Sequence, residues 1–125
     1  MSLDLLVARA QAVGGIKRAY KVGDVPKKPK APYVVIGVDS GSPSTYTLDG
    51  DSDSMHLVTV QCFGEEVDDA LDMADLADRA FRDKPLTELP GEPMCNRILG
   101  TSPVRDPDGE ELIYLLHTYR FHQED

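Results

Sequence analysis

The stretch from Glu65 to Asp83, EEVDDALDMADLADRAFRD, sets the strongest constraint on the fold. Val67, Ala70, Ala74, Ala77 and Phe81 recur at the three- and four-residue spacing that gathers side chains onto one stripe of an α-helix, with Met73 and Ala80 at its flank. A helix with one apolar stripe must bury it, and the residues just before it supply a surface. His56 to Gly64, HLVTVQCFG, alternates Val58, Val60 and Cys62 with Leu57, Thr59, Gln61 and Phe63, the two-residue period of a strand. A strand running straight into an amphipathic helix predicts a helix laid on a sheet.

The remaining segments extend that plan. Leu3, Leu6, Val7, Ala10 and Val13 have helical spacing, and Gly14-Gly15 supplies a stop, so a short N-terminal helix is expected over 3–13. Residues 16–32 carry six of the thirteen Lys and Arg, namely Lys17, Arg18, Lys21, Lys27, Lys28 and Lys30. Pro26, Pro29 and Pro32 favour an extended path there, giving a basic arm with a short strand around Arg18 to Val22. Tyr33 to Val38, YVVIGV, is a β-branched strand, and residues 39–55, rich in Ser, Gly and Asp, read as a long acidic loop. After a proline-punctuated connection, Cys95 to Arg105 and Leu112 to His122 flank DPDGE and predict a hairpin, in which Pro103 argues for an edge strand or a bulge. The expectation is one α+β domain over residues 1–125, with a mainly antiparallel four-stranded sheet packed by the amphipathic helix, in the order α-β-β-α-β-β.

Charge narrows the function classes. A net charge of −9 disfavours phosphate neutralisation, so no specific nucleic-acid binding is expected. No apolar run reaches the roughly 18 residues that cross a bilayer, and the N-terminus lacks the order of a secretory signal, so no membrane partner is expected and the chain is expected to stay in the cytoplasm. Cys62 and Cys95 lie without a CxxC partner, which reads as two reduced, sequestered thiols.

Site chemistries were weighed against the spacing each requires. Asp49, Asp51 and Asp53 imitate the first positions of a calcium loop, but Ser54 replaces the turn glycine and Val60 the closing carboxylate. His117 and His122 are five apart on one strand and point to opposite faces, while His56 begins another, so shared metal ligation is not expected. Gly14-Gly15-Ile16-Lys17 looks superficially like a phosphate loop but follows a helix. There is no GxSxG and no HExxH. The reading is no enzyme, with no catalytic, metal or cofactor-binding residues.

One feature stays without a local cause. Asp68, Asp72 and Asp75, with Glu65 and Asp69, stack like charges on the far side of the helix, where each pair costs about a few tenths of a kcal/mol. The helix dipole accounts for acid at the N-terminal end and for Arg79, Arg82 and Lys84 at the other, but not for Asp72, Asp75 and Asp78. Such a face reads either as ordinary solvated surface or as an interface, and Leu76, which projects from the same acidic side and gains nothing from water, argues for the second. Leu112, Tyr114 and Leu116 load one face of the last strand while Ile113, Leu115, Tyr119 and Phe121 load the other, which also points to burial against a neighbour.

With APYVVIGV, HLVTVQCFG leading at once into EEVDDALDMADLADRAF, and the closing IYLLHTYRFH, the chain from Leu3 to His122 resembles the tail terminator, or tail completion, proteins of long-tailed bacteriophages. The 39–55 loop is longer and more acidic than that family suggests. The resemblance implies a structural virion protein of the tail, present in host cytoplasm during assembly. It would form a homo-oligomeric ring, commonly a hexamer, that caps the tail tube, terminates its polymerisation and offers the surface for head-tail joining. The implied partners are the tail tube protein and a head-tail connector protein, with DNA passing through the ring.

On that reading the basic residues Lys17, Arg18, Lys21, Lys27, Lys28 and Lys30 meet Asp68, Asp72, Asp75 and Leu76 across a subunit boundary, and Asp49, Asp51 and Asp53 line the lumen. The alternatives are another head-tail connector component and an acidic DNA-mimic inhibitor, against which the basic arm argues.

Overall fold

The computed structural model describes residues 3–27, 29–43, 53–105 and 112–124. Two helices, α1 (Leu3–Gln11) and α2 (Val67–Phe81), pack on one open, mixed sheet. Its strands are β1 (Ala19–Lys21), β2 (Tyr33–Pro43), β3 (Asp53–Gly64), β4 (Lys84–Pro85), β5 (Met94–Gly100), β6 (Val104–Arg105) and β7 (Ile113–Glu124). They run in the spatial order β1-β2-β3-β7-β5-β4, with β6 continuing the line of β5 along β7.

The four expected strands form the body of this sheet, but the sheet is larger and not purely antiparallel. β1 pairs parallel to β2, with Ala19 opposite Val34 and Lys21 opposite Ile36. The expected long strand from Cys95 to Arg105 is divided into β5 and β6 around Pro103, which has no N–H to give a ladder, and β5 itself carries a register shift between Arg97 and Leu99. The two-residue β4 adds to its outer side. β1 falls within the short strand expected around Arg18 to Val22, while β4, of two residues, is too short for an alternation to show.

β2 and β3 also outrun their expected ends. Asp39 pairs with Leu57, and Ser42 and Pro43 pair with Met55 and Ser54 across a bulge, so both ends of the 39–55 stretch continue the ladder. Asp49 and Asp51 lie outside the described residues, and Asp53 is described only as backbone opening β3.

Alternation along the central strands separates two faces. Val34 and Ile36 of β2, Val58, Val60 and Cys62 of β3, and Leu115, Tyr119 and Phe121 of β7 turn toward the helices and are buried. Leu6 and Ala10 of α1 and Ala70, Met73, Ala74, Ala77, Ala80 and Phe81 of α2 close that core. Four of the α2 residues are alanine, which lets the helix axis approach the sheet, and Phe81 fills the end of the layer against Tyr119, with ring centroids 5.4 Å apart. The predicted stripe is observed except for Val67, which sits in the first turn at the stripe's margin and is exposed. On the opposite face Tyr33 stacks on Phe63 at 4.7 Å, and Phe63 on Tyr114 at 5.7 Å. Val25 and Ala31 of the basic arm pack on this second cluster.

Two glycines are required by space. Gly64 joins β3 directly to α2, and a Cβ there would lie 2.6 Å from the Asp69 Cβ and 2.7 Å from the Ala70 N. Gly15 has φ of 106°, and a Cβ on it would meet a Leu76 methyl at 2.9 Å. Arg9 then ties α1 to the far end of α2. Its Nε donates to the Ala80 carbonyl at 2.7 Å, one of the last-turn acceptors a helix leaves unpaired, and its Nη1 bridges to Glu88 at 2.6 Å.

Candidate interaction surface

The charged groups singled out from sequence belong to different elements, the basic ones to the segments around the edge strand β1 and the acidic ones to α2. β1 is the outermost strand on one side, and Lys17 and Arg18 precede it directly. Lys17, Lys27 and Lys30 are exposed. Arg18 is partly held, its Nη1 donating to the Lys30 carbonyl at 3.3 Å. Lys21 is engaged within its own subunit, its Nζ 3.2 Å from Asp4 and 3.6 Å from Asp24. Its pKa is raised, first by the hydrogen bond and charge of Asp4 and then by Asp24. Lys28 lies outside the described residues.

α2 lies over the central strands β3 and β7 and turns Asp68, Asp72 and Asp75 to solvent with Arg79 among them. No ion pair joins these carboxylates to the basic arm among the described residues. Leu76 does not share their exposure. It is half-buried against the core beside Gly15, so contacts within the chain account for it.

Asp78 is where the sequence reading missed a role. It stands four residues after Ala74 and three before Phe81, next to the apolar stripe, and that spacing is the signal that could have separated it from the solvent-facing acids. Its Oδ1 accepts from the Tyr119 hydroxyl at 2.7 Å and faces His117 Nδ1 at 3.1 Å, while its Oδ2 accepts from Arg97 Nη1 at 2.9 Å. One carboxylate thus fastens α2 to β7 and β5.

Burial lowers the His117 pKa, against the opposing attraction of Asp78, so the imidazole is neutral and its Nδ1–H serves as donor. The Tyr119 pKa is raised by burial and by Asp78. This arrangement acts as a hydrogen-bond node that holds a helix to a sheet.

Cys62 and Cys95 are both buried and unpaired, and burial pushes each thiol up to about 12, which keeps it protonated. Among the described residues no group of three or more His, Cys, Asp or Glu is placed to hold a metal ion. No helix among them is long and apolar enough to cross a membrane.

Of the eight large apolar side chains exposed among the described residues, Met94, Ile98, Leu99 and Val104 lie along the β5–β6 edge and Val67 and Leu71 on α2; the register that sets Leu99 opposite Thr118 and Val104 opposite Tyr114 turns these two to the face away from α2. Val67 and Leu71 lie eleven and seven residues before Asp78, on the same helical flank, and Asp78 reaches β5. The other two, Leu5 and Val22, belong to α1 and to the residue after β1.

This architecture recurs in a virus-like particle. A chain from a solved structure entitled "Virion of native gene transfer agent (GTA) particle" superposes with a TM-score of 0.65, covering 96% of this chain and 84% of that one at 18% sequence identity. The two chains share a fold. No family model and no curated protein matches the sequence.

Proposed function

We propose that the protein is a structural component of a tailed virion, and that it assembles into a ring, commonly a hexamer, which caps the tail tube, halts its growth and presents the surface on which the head docks. The observation that carries this reading is the fold shared over nearly the whole chain with a component of the gene transfer agent virion, a TM-score of 0.65 over 96% of the chain. The terminator role within such a particle comes from the resemblance in element order and in the stretches APYVVIGV, HLVTVQCFG and IYLLHTYRFH. A cyclic assembly needs two different, complementary surfaces on each subunit. The exposure of Lys17, Lys27 and Lys30 around the edge strand β1 and of Asp68, Asp72 and Asp75 on α2 supports that requirement.

On this reading the protein catalyses no reaction and works through repeated protein contacts, while the genome passes through the ring without specific recognition. Asp49, Asp51 and Asp53 are the proposed lumen lining, where carboxylates repel phosphate. Purified protein mixed with tail tubes or with the head-side connector tests the role. A terminator binds the end of the tube and blocks addition of tube subunits. Binding only to the connector, with tube growth unaffected, would assign it to head-tail joining instead.

A further inference from the structure

We infer that the β5–β6 edge, together with the Val67 and Leu71 flank of α2, is the seat for the β1 side of a second copy of this chain. The inference rests on the ring reading above and names the two halves of its repeated contact. An exposed apolar edge strand is a hazard for a protein that remains single, and such edges are ordinarily short, charged or covered. Here the open length runs from Asn96 to Gly100, since β4 pairs only with Met94 and Cys95. Arg97, the only charge along it, is drawn back onto Asp78. Met94, Ile98, Leu99 and Val104 are 46–52% exposed along this edge, and Val67 and Leu71 are 42–45% exposed on the helix beside it.

The occupant follows from charge and from what remains exposed elsewhere. The seat is bordered by the acidic outer surface of α2, so a second copy presenting the same surface would be repelled, and a chain of net charge −9 gains nothing by matching like with like. The opposite side of the sheet offers what the seat lacks: the apolar side chains Leu5 and Val22, the latter 61% exposed, and the basic residues Lys17, Lys27 and Lys30, beside a β1 whose outer carbonyls on Ala19 and Lys21 are already taken by Gln11 and Asp24. Joining one side to the other is a heterologous contact, which repeats around a ring and leaves every copy with both surfaces covered. The register shift in β5 and the three-residue length of β1 leave little room for a long backbone ladder, so side-chain packing with a charged border holds the contact.

Cross-linking two variants that each add one cysteine tests this, because Cys62 and Cys95 are buried and do not interfere. Leu99→Cys and Val22→Cys are mixed under mild oxidation. Covalent dimers that form only in the mixture, and not with either variant alone, are the expected result. Dimers formed by Leu99→Cys alone would show an isologous edge and overturn the inference, as would a mixture that yields no dimer. In parallel, Ile98→Glu with Leu99→Glu is expected to leave thermal stability unchanged while reducing the solution mass from that of an oligomer to that of one chain. An unchanged oligomer would overturn the seat. If the mixed cross-link forms while tails lacking the protein keep normal length, the terminator reading falls and the contact stands.

Discussion

Asp78 and the trio Asp68, Asp72 and Asp75 are the same residue type on the same helix, yet they do different work. Asp78 stands beside the apolar stripe and receives hydrogen bonds from Tyr119 and Arg97 and the approach of His117, so its charge is consumed in holding α2 to the sheet. The other three face solvent, with Arg79 the one cation of α2 among them, and repel one another. A rotation of about a sixth to a third of a turn about the helix separates a carboxylate that maintains the fold from carboxylates whose use must lie outside it. Composition alone does not distinguish them, whereas position relative to the stripe does.

Removing Asp78 is the most damaging way to challenge this contrast. Asp78→Ala leaves the Tyr119 hydroxyl, the His117 N–H and the Arg97 guanidinium without their acceptor, and is expected to lower unfolding free energy by about 3 kcal/mol in a denaturant titration. Loss of less than about 0.5 kcal/mol would place Asp78 with the outer acids. Gly64→Ala, at the joint that delivers α2 to the sheet, is expected to cost about 1–3 kcal/mol because the added methyl meets the Asp69 Cβ and the helix backbone, neither of which can rotate aside. Tyr119→Phe deletes one bond to the carboxylate and preserves the ring packed on Phe81, for an expected loss of about 1.5–3 kcal/mol.

A pH series sharpens the same comparison. The His117 pKa is lowered in the folded state by burial, so the contribution of its neutral form is complete above the ordinary imidazole value of about 6.5 and is lost as pH falls below it toward the depressed folded value. The melting temperature is expected to fall between pH 7 and pH 5 and to fall less in His117→Gln. Equal slopes would remove His117 from the node. At the small end, Asp68→Asn, Asp72→Asn and Asp75→Asn should each shift stability by about 0.5 kcal/mol or less, and their triple combination should weaken self-association most at low salt. A large loss of stability would give these acids a role within the fold.

The sequence made the central layer readable because periodicity survives wherever a segment is long and one face is buried. The α2 stripe, the β3 alternation and the hairpin of β5 and β6 with β7 all follow from it. The margins were less legible: β1 follows the short strand expected around Arg18 to Val22, but its parallel pairing left no sign, and the two residues of β4 carry no period. The Arg9 clasp also left no local sign, because its partners Ala80 and Glu88 lie 71 and 79 residues away.

From spacing alone Leu76 projects from the acidic side, and only the fold reveals Gly15 beneath it. The large apolar residues that do remain exposed, Ile98, Leu99 and Val104, sat unremarked inside a predicted strand, where alternation does not tell a covered edge from an open one.

Tail length in particles assembled with this gene deleted tests the central claim most directly. Electron micrographs are expected to show tubes extended well beyond the normal length and lacking heads, with both defects corrected when the purified protein is supplied during assembly. Tails of normal, uniform length joined to filled heads in its absence would contradict the account.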